Sequence, residues 1–141
     1  MAIEKRFKVY KEDFANAGNV SSQIKQMVKD LGVDTIILRH IVVACYEAEI
    51  NMIIHSDGGE IIYRLHDKRG ILTLEFNDIG PGIPDVEKAL TPGWSSASQK
   101  ARQFGFGAGM GLANIIRVSD DFNLNTSETG TSLKLHFNIN K

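Results

Sequence analysis

The chain has 141 residues, long enough for one domain that buries about two thirds of its unfolded surface. Its hydrophobic share of 43% and charged share of 23% are those of an ordinary soluble globular protein. A formal net charge of -1 supplies no basic stripe of the kind that nucleic-acid binding requires, so no nucleic-acid partner is expected.

The N-terminal run Met1-Ala2-Ile3-Glu4-Lys5-Arg6 lacks the apolar stretch of a signal peptide. Just after it, Phe7 and Val9 alternate with Arg6 and Lys8, which predicts a short opening strand. Asn16-Ala17-Gly18-Asn19 is turn-rich and leads into a helix whose apolar residues are Val20, Ile24, Met27, Val28 and Leu31. Gly32 is placed to end that helix in a left-handed cap. Asp34 can cap a second helix by accepting from its free backbone N–H groups. This second helix runs to about His55, roughly 30 Å at helical rise, and is apolar on most sides, so a central, buried position is expected. His40, inside it, is read as structural. Cys45, the sole cysteine, excludes an internal disulfide and reads as a buried, inert thiol. Arg39, His40, Glu47 and Glu49 break the apolar run from Thr35 to His55, so it does not span a bilayer. No membrane partner and a cytoplasmic location are expected.

Glu60 to His66 and Ile71 to Phe76 predict two strands joined by the turn Asp67-Lys68-Arg69-Gly70. The stretch from Pro81 to Gly109 is rich in proline, glycine and serine and holds at most a short helix around Val86 to Leu90. A long segment of this kind inside a compact domain reads as a functional loop or lid. A helix through Leu112, Ile115 and Ile116 follows. Phe122 to Leu124 and Ser132 to Asn140 then form a hairpin around Glu128-Thr129-Gly130. In its last strand Leu133, Leu135, Phe137 and Ile139 face one way and polar residues the other, as a sheet with one wet face requires. The expected architecture is α+β, a two-layer sandwich of a mixed, mostly antiparallel sheet with helices on one face, in a single domain over residues 1–141.

Three constellations carry chemistry. Glu47 and Asn51 lie one helical turn apart with Cβ atoms about 6 Å from each other. A carboxylate and a carboxamide there could hold a water or hydroxyl beside a magnesium ion, which takes few protein oxygens; an exposed helical stripe explains the same pair. In Asn77-Asp78-Ile79-Gly80-Pro81-Gly82, a carboxylate at a strand end could accept from a purine amino group, with glycines admitting a flat ring. A tight turn would use the same residues. Gly105, Gly107, Gly109 and Gly111 alternate into the start of a helix, where backbone N–H groups and the helix dipole cradle anions. The polar segment from Ser95 to Phe104 is no strand, which excludes a dinucleotide fingerprint, and the absence of Gly-Lys-Ser/Thr excludes a P-loop.

In their order, Glu47-x-x-x-Asn51, Asp78-x-Gly80-x-Gly82, Gly105 to Gly111 and Gly130-Thr131 resemble the Bergerat ATP-binding fold shared by gyrase, histidine kinases and MutL. The likeness covers residues 5–140, and the short chain is most similar to bacterial anti-sigma-factor serine kinases and stressosome switch kinases. The resemblance implies ATP and Mg²⁺ as cofactors, with Asn51 coordinating the metal and Glu47 as general base. Asp78 would bind the adenine amino group with Thr131 assisting, and Gly80 and Gly82 would line the base pocket. Gly105, Gly107, Gly109 and Gly111 would hold the phosphates. Residues about 84–104 would form the ATP lid; its Lys100 and Arg102 either belong to a solvated face or reach phosphate, and Trp94 either packs the lid shut or contacts a partner. The implied partner is a small STAS-like antagonist protein or a sigma factor, and the likeness also suggests a homodimer. The implied activity is a serine/threonine protein kinase; a nucleotide-gated binding module without phosphotransfer, or a slow ATPase, are the alternatives. No hairpin with a phosphorylated histidine and no transducer domain fits within this length.

Overall fold

The computed structural model of the chain describes residues 2–80 and 111–140. Among these, five strands and three helices occur in the order β1 (Ala2–Tyr10), α1 (Asn19–Asp30), α2 (Thr35–His55), β2 (Gly58–His66), β3 (Ile71–Ile79), α3 (Gly111–Val118), β4 (Asp121–Ser127) and β5 (Gly130–Asn138). Short 3-10 turns at Phe14–Asn16 and Asp67–Arg69 join β1 to α1 and β2 to β3. The sheet order is β1-β2-β3-β5-β4, and every pairing is antiparallel. The expected mixed sheet is thus purely antiparallel among the described strands, and β3 lies at its centre.

Cross-strand rows explain how the layers form. Phe7, Ile61, Phe76 and Leu133 stand in register across four strands, and all are buried. The rows Tyr63–Leu74–Leu135 and Leu65–Leu72–Phe137 continue the same apolar face. Against it lies α2, whose Ile41, Ala44, Cys45, Ala48 and Met52 join the core, flanked by Val20, Ile24 and Val28 of α1 and by Leu112 and Ile115 of α3. Burial pushes the Cys45 thiol up to about 12, so it is inert. The opposite face is polar: Arg64 donates to Glu4 at 2.8 Å and to Glu75 at 2.6 Å, and Ser132 donates to Asn77 at 2.7 Å.

The caps act as the sequence predicts. The Ile36 N–H donates to the Asp34 carboxylate at 3.1 Å, and Gly32 follows α1 at a φ of 75°. His40 departs from expectation. It is exposed, because it lies two turns before Glu47 on a side of α2 turned from the sheet-facing line of Ile41, Ala44, Cys45, Ala48 and Met52. No described helix is long and apolar enough to cross a membrane.

Candidate functional site

The candidate face of α2 is built by periodicity. Glu47, Asn51 and His55 recur every four residues, so they form one stripe that leans gradually around the helix. The stripe faces α3, whose Leu112 and Ile115 are buried against the core and so press the N-terminus of α3 onto α2. The contact is close: a Cβ added to Gly111 would stand 3.1 Å from both terminal atoms of the Asn51 amide and 3.4 Å from Glu47 Oε2. A carboxylate, a carboxamide and the backbone of Gly111, the first described residue of α3, therefore meet at one point. This combination attracts an anion and, beside it, a hard cation. Glu47 is half-buried, and burial raises its pKa above the ordinary carboxylate value.

Asp78, the second-last residue of β3, lies in the row Val9–Gly59–Asp78–Thr131–Thr126 on the helix side of the sheet. The Thr131 N–H donates to Asp78 Oδ1 at 2.9 Å, and the Thr131 hydroxyl bonds that of Thr126 at 2.9 Å. That orients the carboxylate and leaves Oδ2 without a donor among the described residues. Burial raises the Asp78 pKa, the Thr131 amide opposes this, and the negative charge of Asp57 adds to the rise. Both neighbouring strands meet this end of β3 with glycine. A Cβ on Gly59 would run into the Asn77 carbonyl oxygen, and one on Gly130 into that of Asp78.

The two halves are fastened to each other at the end of α2. Ser56 donates to the Met52 carbonyl at 2.6 Å and accepts from the Gly58 N–H at 3.0 Å, turning the chain into β2. The Asp57 N–H donates to the Ile79 carbonyl at 2.7 Å, and buried Gly80 passes so close that a Cβ would stand 3.3 Å from Ser56 Cα. The stripe of α2 thus ends beside the strand end that carries Asp78. His55 terminates that stripe, and its burial lowers its pKa.

Of the sequence-predicted site residues, the structure brings Glu47, Asn51 and Gly111 together, and Asp78, Gly80 and Thr131 together. Gly82, Gly105, Gly107, Gly109, the short helix at 86–90 and the lid at about 84–104 with Trp94, Lys100 and Arg102 lie outside the described residues. Sequence reasoning missed Asp57, which nothing local distinguishes from a loop aspartate. It also passed over Glu49, noted only as a charge that interrupts an apolar run. Glu49 is 2% exposed and accepts from the N–H groups of Gly18, Val20 and Ser21 and from the Ser21 hydroxyl at 2.6 to 3.3 Å. No group of three histidine, cysteine or acidic side chains suited to a metal occurs among the described residues. The metal chemistry this site fits is the kind completed by phosphate and water.

Comparison with known proteins bears on the same elements. A protein-family model described as the histidine kinase-like ATPase domain matches residues 11–137. The chain is 32% identical over 105 residues to the serine/threonine-protein kinase RsbT of Bacillus subtilis, covering 72% of this chain and 72% of that protein.

Proposed function

The chain belongs to the family of histidine kinase-like ATPase domains, and on that premise we propose that it is a serine/threonine protein kinase using Mg-ATP. We read the whole chain as one such domain. Its protein substrate is a small STAS-like antagonist, with a sigma factor as the other candidate partner. The observation that carries the reading is the meeting of Glu47 and Asn51 with the start of α3 at Gly111, in a fold that fastens the same helix to the Asp78 strand end.

In this reading Asp78 Oδ2 accepts from the exocyclic amino group of adenine, which guanine lacks at that position. Gly80 and Gly82 line the base pocket, and Thr131 orients the carboxylate through its N–H. The glycines 105, 107, 109 and 111 hold the phosphates. Asn51 would hold the magnesium ion through its amide oxygen, and the metal would offset the charge that develops on the phosphates. Glu47 accepts the proton of the attacking serine or threonine hydroxyl. A bond forms from that oxygen to the γ-phosphorus as the bond from the γ-phosphorus to the β,γ-bridging oxygen breaks, and ADP departs. Burial raises the Glu47 pKa above the ordinary carboxylate value, which makes its ionised form a stronger proton acceptor.

Calorimetric titration of ATP, ADP and GTP with Mg²⁺ tests the site. Wild type binds adenine nucleotides selectively, and Asp78→Asn, which turns an acceptor into a donor, loses about a hundredfold or more in affinity. Equal binding of GTP, or an unaffected Asp78→Asn, would overturn the base assignment. Incubation with labelled ATP and candidate STAS proteins tests the transfer. Binding without transfer to any of them would make the chain a nucleotide-gated interaction module instead.

A further inference from the structure

α2 has almost no amphipathic asymmetry, since apolar residues surround most of it. A helix of that kind gains little from one rotation about its axis over another through apolar burial alone. Its sheet-facing line includes Ala44, Cys45 and Ala48, short side chains that offer little to grip. Yet Glu47 and Asn51 must be aimed within narrow limits. With side-chain tips about 5–6 Å from the axis, a rotation of about 20° moves them about 2 Å, more than a metal and phosphate site tolerates.

Glu49 supplies the missing constraint. It lies midway in sequence between Glu47 and Asn51, so at about 100° per residue it points away from both, to the opposite side of α2. There its carboxylate takes four hydrogen bonds from the start of α1: Gly18 N–H at 3.1 Å and Val20 N–H at 3.3 Å to Oε2, and Ser21 N–H at 2.9 Å and the Ser21 hydroxyl at 2.6 Å to Oε1. These are charge-assisted and directional, and they are shielded from water. The helix dipole of α1 reinforces them. Tyr46 adds to the joint, its ring lying 3.1 Å from where a Cβ on Gly18 would stand.

We propose that Glu49 is a positioning residue: by locking α2 to the N-terminus of α1 it sets the rotation of α2, and so the aim of Glu47 and Asn51 at Gly111. The functional consequence rests on the reading of Glu47 and Asn51 as the metal and phosphate end of the site; the geometric claim does not. Glu49→Gln preserves shape but offers one acceptor oxygen, and its amide NH₂ would face donors. Ser21→Ala removes one bond of the four and serves as the milder variant should Glu49→Gln fail to fold.

Two measurements on the full chain decide it. In nucleotide-free amide NMR spectra, both variants shift the Asn51 side-chain amide and the Gly111 backbone N–H while Leu135, in the sheet, stays in place. In calorimetry, the affinity gained by adding Mg²⁺ to ATP falls about tenfold in Glu49→Gln and less in Ser21→Ala, with magnesium-free ADP binding unchanged. Unmoved Asn51 and Gly111 resonances beside a lowered melting temperature would overturn the proposal and leave Glu49 as a helix cap alone. An equal loss for both nucleotide forms would also overturn it. If wild type binds no adenine nucleotide, the proposed function falls, and the spectra still decide the role of Glu49.

Discussion

Asp78, proposed above to bind adenine, shows what a buried carboxylate costs the fold that carries it. Its folded pKa is raised above the ordinary 3.8, chiefly by burial, so the native state holds the proton more tightly than the unfolded chain. The stability it contributes is therefore fully present below the unfolded value and is lost as pH rises through the folded one. At neutral pH the ionised carboxylate is a burden. Asp78→Asn keeps an oxygen for the Thr131 N–H and removes the charge, so its melting temperature at pH 7 should equal or exceed that of wild type while nucleotide affinity collapses. The gap between the two melting curves should close as the pH approaches 4, which thermal denaturation across that range checks. Glu47 is raised for the same reason, by burial. In the proposed mechanism transfer needs it ionised, so the rate should fall on the acid side with a midpoint above the ordinary 4.5. Glu47→Gln should abolish transfer and leave ATP affinity near the wild-type value; a Glu47→Gln protein that still transfers phosphate would remove Glu47 from the mechanism.

At the scale of the element, the two ends of α2 do different work. Its N-terminus is capped by Asp34, far along the helix from the site, and Asp34→Ala should cost about 1 kcal/mol. That is a fall of about 3–5 °C in melting temperature for a chain of this size, with nucleotide affinity unchanged. The N-terminus of α3 reverses the pattern. Alanine is the better helix former by about 1 kcal/mol, yet its Cβ at Gly111 would press on the Asn51 amide at 3.1 Å. Gly111→Ala should keep or raise the melting temperature while weakening Mg-dependent ATP binding, read by titration with and without EDTA. An unchanged magnesium effect would show that Asn51 yields freely and that the close approach has no function. Helix limits of this kind were legible from local chemistry. The rank of Val20, Ile24 and Val28 marked α1, Asp34 marked the start of α2, and Gly32 marked the end of α1. His40 was misread because a helix apolar on most sides gives no local sign of which turns the core reaches.

For the whole molecule, strands were legible and their partners were not. Alternation in Leu133, Leu135 and Phe137 reveals a strand with one wet face, but nothing local states that β5 inserts beside β3 or that all pairings are antiparallel. The site motifs were visible as residue types in order. Their meeting depends on contacts across the chain: Gly111 on Asn51, Thr131 on Asp78, Asp57 on Ile79. Glu49 was opaque for the same reason, since its four donors come from a helix start some thirty residues earlier in the chain. The central place of β3 also sets a timetable for the newborn protein. Asp78 and the Thr131 amide that orients it are 53 positions apart, an interval of roughly 3–10 s at ordinary translation rates. During that interval β2 is the one described strand beside β3, whose other edge waits for β5. With the site proposed above, a chain emerging from the ribosome cannot use nucleotide to steady its own folding. Nucleotide can reward only a finished sheet, and the half-made sheet is where a chaperone would find its hold.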